Sequence, residues 1–289
     1  MGDVAERARI PVTVVVPIRN EAENLAACLS RLGRFARVIV VDSGSTDGSQ
    51  EIARAHGATL LHFAWNGRYP KKRNWVLLNH LADGWVLFLD ADERVDDQFC
   101  DEVAKAIASS THDGYWLNYT TYFLGRRLRH GVPQRKLALF KAGSGLYEDV
   151  GEEDWSSLDV EVHEHPVLRG STGEIAAPIA HEDHRGLEAF LARHRDYARW
   201  EARRFLRLQR HGGVHRSPHL THRQRIKYRY MASWWYPWAY FAYAYIGRLG
   251  CRDGGAGFHY AFYKAWYFNT TRLLIGELRR SRAPLRFRQ

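Results

Sequence analysis

One run constrains this chain more than any other: WVLFLDADE at residues 85–93, where an unbroken apolar stretch stops at two carboxylates, Asp90 and Asp92, one residue apart. A strand that is apolar at consecutive rather than alternate positions is covered on both faces, so its acids stand where it leaves the core. In an open α/β sheet that carboxyl edge is where ligands bind. Two hard oxygen ligands there suit Mg²⁺ or Mn²⁺, which use one or two protein carboxylates and complete their shells with water and substrate phosphates. Acids also end strands for purely structural reasons, so the D-x-D pair needs further residues around it before it defines a site.

Those residues lie in a repeating pattern. β-branched runs at 12–16, 38–41 and 59–62 alternate with helical periodicity at 22–31, 47–56 and 72–81, and the run at 85–89 continues the series. Such βαβ repetition predicts an α/β fold, a mainly parallel, doubly wound, Rossmann-like sheet with right-handed crossovers. Shorter strand-like pieces at 114–121, 137–141 and 159–168, set among Gly, Asp and Glu, read as a sheet extension carrying an acceptor-side wall. The expected division is a catalytic domain over 1–185, with a donor half at about 10–110 and an acceptor half at about 111–185, followed by a helical extension over 186–289.

The other predicted strands also end in polar blocks. Pro17, Arg19, Asn20 and Glu21 follow the first, just before a helix, where side chains and helix N-terminal amides can hold a planar base or ribose. Asn20 or Glu21 could equally cap that helix. Asp42 ends the second strand ahead of a Ser/Gly turn and Asp47, and a strand-end carboxylate can accept from a uracil N–H or a ribose hydroxyl. There is neither a G-x-G-x-x-G nor a G-x-x-x-x-G-K-[ST] sequence, which argues against NAD and against a P-loop.

Taken in order, VVVPIRNEAENL, VVDSGSTDGS, KKRN (residues 71–74) and FLDADE resemble the motifs of family 2 glycosyltransferases of the GT-A fold. With VHEHP (162–166), IAHEDHRGLEAFLARHRDYARWEA and YIGRLGCRDGGAGF, the pattern is similar to the subgroup that contains lipopolysaccharide core β-1,4-glucosyltransferase-like enzymes. It departs at Arg19, where such families often carry Tyr or Lys, and at Cys251-Arg252, where an apolar residue is commoner. The resemblance implies a nucleotide diphosphate sugar donor, a UDP-sugar, with Asp42 on uracil or ribose, helped by the loop from Pro17 to Glu21. It places Arg73 near the nucleotide or its phosphates, Asp90 near the ribose, and Asp92 on Mg²⁺ or Mn²⁺; His181 reads either as approaching the metal or diphosphate or as a strand-end histidine that orders its loop. It points to Glu164 as general base of an inverting transfer, or to an acceptor-binding or loop role for it, with Glu148, Asp149, Glu152, Glu153 and Asp154 as alternative bases. The implied acceptor is a glycolipid or lipid-linked saccharide in cell-envelope or lipopolysaccharide synthesis. Polyprenyl phosphate as acceptor and a non-catalytic nucleotide-sugar-binding protein are the competing readings.

Charge and composition decide where such an enzyme would work. A net charge of +10 favours anionic partners. Arginines and aromatics follow no nucleic-acid-reading motif, so no nucleic acid partner is expected. Residues 228–249 are exceptionally aromatic, with basic flanks and an interrupting Pro237. Interfacial membrane contact, packing onto the catalytic domain and a true span all fit that composition, and the basic flanks favour a membrane-proximal extension. Arg185, Arg193, His194 and Arg195 face either acceptor phosphate, lipid headgroups or plain solvent. His163, His165, His181 and His184 lack the helical spacing of a hydrolytic zinc site. Three widely spaced cysteines and an N-terminal stretch without an apolar export segment lead to an expected place in the cytoplasm, peripheral on the inner face of the cell membrane.

Overall fold

The apolar runs become the middle of a sheet. β1 (Ile10–Ile18), β2 (Phe35–Asp42), β3 (Thr59–His62) and β4 (Trp85–Phe88) lie side by side in the order β3-β2-β1-β4, all parallel, with Val14 opposite Val38 on one side and Leu87 on the other. Consecutive residues Val14, Val15 and Val16 are wholly buried, as are Val86 and Leu87, because α1 (Ala22–Leu29), α2 (Ser49–Ala55), α3 (Lys72–Asn79) and α4 (Asp97–Ser109) contribute their apolar faces to the same core. The computed structural model describes residues 9–109, 111–151, 159–161, 164–181, 186–217 and 220–281.

Beyond β4 the order continues β8-β6-β11-β5. β5 (Glu93–Arg94) follows the D-x-D directly, and β6 (Gly114–Phe123) precedes the short β7 (Arg126–Leu128). β8 (Gln134–Lys141) runs antiparallel to both β4 and β6, so β6 and its parallel partner β11 (Thr172–His181) again share the direction of β1 to β4. The sheet is therefore mixed, with its parallel majority interrupted by β8. At its edge His181 pairs with Glu93 of β5, which draws the end of β11 to the D-x-D. β9 (Gly145–Tyr147) and β10 (Pro166–Leu168) form a separate antiparallel pair.

Two expectations change here. Among the described residues of the stretch predicted as a strand over 159–168, only Pro166–Leu168 form one, because Asp159 and Glu161 turn inward to meet the basic block at the start of α3. α4 occupies a stretch to which no element was assigned, although Phe99, Val103 and Ile107 recur there at helical spacing.

The chain divides into two units, Met1–Thr121 with Gln134–Glu182, and Tyr122–Pro133 with Asp183–Gln289, rather than at a single cut near 185. The second unit comprises α5 (Gly186–Arg210), α6 (His222–Tyr230), α7 (Tyr236–Ala242) with a π-turn at Tyr243–Gly247, and α8 (Gly254–Ser281). Residues 122–133 join it because Asp253 accepts from the amides of Arg129 and His130, at 3.1 and 2.8 Å, and contacts His130 Nδ1 at 3.0 Å. A Cβ at Gly257 would collide with the carbonyl of Gly250, so the glycine there permits α8 to start against the preceding turn. The aromatic stretch at 228–249 is broken between α6 and α7, and among the described residues no helix is long and apolar enough to cross a membrane.

β4 sits at the centre of the first unit's core, and Leu87 is fully buried. Leu87→Ala should destabilise that unit by about 2–5 kcal/mol, read as a lower urea midpoint at unchanged slope.

Candidate active site

At the carboxyl edge the loops after β1 and β2 are stitched together. Asn20, at φ 55°, accepts from the Thr46 amide at 2.9 Å and donates its own amide to the Ser45 hydroxyl at 2.8 Å. The Glu21 amide reaches Ser49 Oγ at 2.9 Å, and the Ala22 amide reaches Asp47 at 2.9 Å. Asp42 is buried and accepts from the amides of Gly44 and Ser45, the Ser45 hydroxyl at 2.5 Å and Gln50 at 2.7 Å. Burial works against its charge, but these donors outweigh it and lower its pKa. In this conformation Asp42 organises the turn. Arg19 and Asn20 are exposed, and Pro17 and Glu21 are half-buried beside them.

The basic block KKRN begins α3, and each of its members is engaged. Lys71 Nζ lies 2.8 Å from Glu164. Lys72 donates to the Ile18 carbonyl at 2.7 Å and pairs with Asp159 at 3.2 Å, so it ties the end of β1 to the 159–161 segment. Glu161 accepts from the amides of Arg73 and Asn74 at 2.9 and 3.0 Å, placing a carboxylate on the helix N-terminus, where the dipole favours it. Asn74 exchanges hydrogen bonds with the backbone of Tyr147 at 3.0 and 2.8 Å.

Arg73 and the D-x-D meet directly. Its Nη2 is 2.6 Å from Asp90 Oδ1, and Lys136 Nζ, arriving from β8, is 2.5 Å from Asp90 Oδ2 and 2.5 Å from Glu93 Oε1. Glu93 also accepts from the Asp90 amide at 3.1 Å and from Tyr119 at 3.3 Å. Burial opposes ionisation of Asp90, but Lys136 and Arg73 hold it well below the usual carboxylate range; Glu93, buried more deeply and beside Asp90, is raised in spite of Lys136. Lys136 escaped sequence reasoning because it belongs to no strand-end motif. Its only signal was a basic residue ahead of the apolar run at 137–140.

Asp92 has a different partner. Its Oδ2 lies 3.3 Å from His181 Nε2, so the structure brings together the two residues expected at the metal. Burial raises Asp92, but the hydrogen bond and charge of His181 prevail and its pKa falls. Among the described residues no three His, Cys, Asp or Glu side chains form a ready-made metal cluster. One carboxylate and one imidazole fit an ion whose remaining ligands come from a diphosphate and water. Asp90, with both oxygens on cations, is the less available of the pair.

A cleft in this unit is lined by Trp65, Tyr69, Lys71, Glu148, Glu161 and Glu164, among others. Glu164 is 4% exposed, and Lys71 pairs with it. His165 lies against the Trp116 ring, at 6.0 Å between centroids. Glu148 and Asp149 line the same cleft. Glu152, Glu153, Asp154, His163, His184 and Arg185 lie outside the described residues. In the helical unit His194 is turned inward, with Nδ1 2.9 Å from the Phe190 carbonyl, while Arg195 pairs with Asp196 at the surface.

This sheet order, with acids and their cations gathered at its carboxyl edge, is that of a GT-A glycosyltransferase. Residues 13–156 match the profile of Glycosyl transferase family 2, and the chain belongs to that family. "Lipopolysaccharide core biosynthesis glycosyltransferase LpsC" of Rhizobium meliloti is 26% identical over 173 residues, 57% of this chain and 60% of that protein. "Glycosyltransferase AglJ" of Haloferax volcanii is 39% identical over 83 residues, 28% of this chain and 27% of that protein. The matches thus span less than two thirds of these relatives' own lengths. Among solved structures, S. aureus TarS 1-349 in complex with UDP-GlcNAc superposes with a TM-score of 0.50 at 14% identity, covering 94% of this chain and 92% of that one.

Replacing Lys136 with Met removes the cation that Asp90 and Glu93 share, leaving Asp90 with Arg73 alone, and should cost about 1–3 kcal/mol near pH 7, less than a fully buried pair because Lys136 and Asp90 are 39% and 35% exposed. Because the folded pKa of Asp90 is depressed, the stability it contributes is present above about pH 4 and is lost as the pH falls through its folded value. The difference between wild type and K136M should therefore shrink as the pH falls below about 4, which urea titrations across pH will measure.

Proposed function

We propose that this family 2 enzyme is an inverting, metal-dependent hexosyltransferase. It moves a hexose from a nucleotide diphosphate sugar, a UDP-sugar, to a glycolipid or lipid-linked saccharide in cell-envelope or lipopolysaccharide synthesis, working peripherally at the inner face of the cell membrane. The observation that carries the reading is the pairing of Asp92 with His181, 3.3 Å apart at the carboxyl edge of the sheet. The named activity of LpsC and the UDP-GlcNAc held by TarS support the choice of donor and acceptor class.

In this reading the stitched loops bearing Pro17, Arg19, Asn20, Glu21 and Asp42 seat the base and ribose, and Asp90 faces the ribose while Arg73 and Lys136 fix its direction. Asp92 and His181 hold Mg²⁺ or Mn²⁺, which when bound neutralises the charge gathering on the leaving diphosphate. Glu164 takes the proton from the acceptor hydroxyl. As that oxygen bonds to C1 from the face opposite the diphosphate, the C1–O bond breaks and the anomeric configuration inverts. Lys71, 2.8 Å away, limits the rotation of the carboxylate. With the proton delivered, the nucleoside diphosphate leaves and the site resets.

Transfer from a panel of UDP-sugars should be abolished in Asp92→Ala together with Mn²⁺-dependent donor binding, while circular dichroism shows the fold intact. Glu164→Gln should lower kcat by about 10²–10⁴-fold with donor affinity unchanged. Full turnover in either variant would sink the corresponding role.

A further inference from the structure

The helical unit carries a surface for which donor chemistry has no use. Trp234, Trp238 and Ile246 are 73%, 62% and 66% exposed, and Tyr243, Leu249, Phe258 and Phe262 are also exposed. Trp238, Phe241 and Tyr245 follow one another at steps of three or four residues, so they share one side of α7 and its π-turn, with Trp234 just before the helix and Leu249 just after the turn. Phe258 at the start of α8 meets Phe241 and Tyr245 at 5.8 and 5.6 Å between ring centroids, and stacks on Phe262 at 6.3 Å. The two helices thus present one continuous layer of rings to solvent. A contiguous exposed apolar patch of this kind marks an interaction surface.

The charge around the layer says what it meets. Between Glu201 and Glu277 the sequence holds thirteen Lys and Arg and one acid, Asp253. That acid is only 7% exposed and is turned inward onto the Arg129 and His130 amides. Arg248 and Arg252 are exposed beside the ridge, as are Arg225 and Arg229 before it. Residues 122–133 of the same unit add Arg126, Arg127 and Arg129 and no acid. Aromatic side chains that lie flat and apolar, rimmed by cations and free of exposed carboxylates, match the boundary of an anionic bilayer, where tryptophan and tyrosine sit at headgroup depth and arginines meet phosphate.

We infer that the ridge of α7 and α8 docks this protein onto an anionic phospholipid surface, with Trp234, Trp238 and Ile246 entering the headgroup layer and Arg248 and Arg252 on the phosphates. This rests on the proposed membrane location and adds the face and the lipid charge that deliver it. Binding is expected to be reversible, since the ridge lies on the interface rather than spanning it.

The test is co-sedimentation of the full chain with extruded vesicles of phosphatidylglycerol and phosphatidylcholine, against phosphatidylcholine alone, with tryptophan emission followed in parallel. Wild type should bind the anionic vesicles, shift its emission to the blue, and release as salt rises. The triple variant Trp234→Ser, Trp238→Ser, Ile246→Ser should bind at least ~10-fold more weakly at unchanged helicity and unchanged Mn²⁺-dependent donor binding. The pair Arg248→Gln, Arg252→Gln should weaken binding to anionic vesicles with the apolar layer intact, and so tests the proposal even if the triple variant fails to fold. Equal binding by wild type and both variants, indifference to lipid charge, or preferential capture of a short RNA over the vesicles would overturn it. Because vesicle binding and donor binding are read separately, loss of the first leaves the transferase reading standing, and the reverse result separates them equally well.

Discussion

Three acids within four residues, Asp90, Asp92 and Glu93, cannot share the end of a buried strand unless cations are brought to them, and meeting that demand organises the first unit. The partners come from three separate elements: the cations Arg73 from the start of α3 and Lys136 from β8, and the imidazole of His181 from the end of β11. Lys136 bridges two of the acids at 2.5 Å each, which is why the one reversed strand between β4 and β6 belongs to the site as well as to the sheet. Glu161 extends the network by capping α3 and holding the backbone of Arg73 itself.

The balance also divides the labour of the D-x-D. Asp90 has both oxygens on fixed cations and serves as the hub that orients its neighbours. Asp92 has an imidazole beside it, a group that can move from hydrogen bonding a carboxylate to ligating a metal when its proton is elsewhere. In the proposed reaction this places the exchangeable partner at the diphosphate and the fixed partners at the ribose. Glu164 lines a cleft with Lys71 and Glu161, and in the proposed reaction it takes the proton while the D-x-D faces the leaving group.

Much of this was legible in the sequence, and for identifiable reasons. β1, β2, β3 and β4 announce themselves because buried parallel strands must be apolar at consecutive positions, and the polar blocks that end them stand out by contrast. Asp92 and His181 could be named as candidates although 89 residues separate them, but their meeting depends on the antiparallel pairing of β5 with β11, which no local pattern encodes. Lys136 was invisible for the same reason: its importance comes from the strand it faces, not from its neighbours in sequence. Asp159 and Glu161 were read as strand residues, when the basic block at 71–74 had already created a demand for inward-turned acids. The aromatic stretch at 228–249 gave its chemistry but not its shape, since a break between α6 and α7 turns a span-length segment into a surface ridge.

The central claim is that Asp92 and His181 form half of a divalent-metal site which the donor's diphosphate completes. Titration of Mn²⁺ followed by electron paramagnetic resonance, with and without UDP, tests it most directly. The account predicts weak Mn²⁺ binding by the protein alone and binding at least ~10-fold tighter once UDP is present, because a two-ligand site needs phosphate oxygens to fill its shell. Equal Mn²⁺ affinity with and without UDP, or no protein-bound Mn²⁺ in either case, would contradict it.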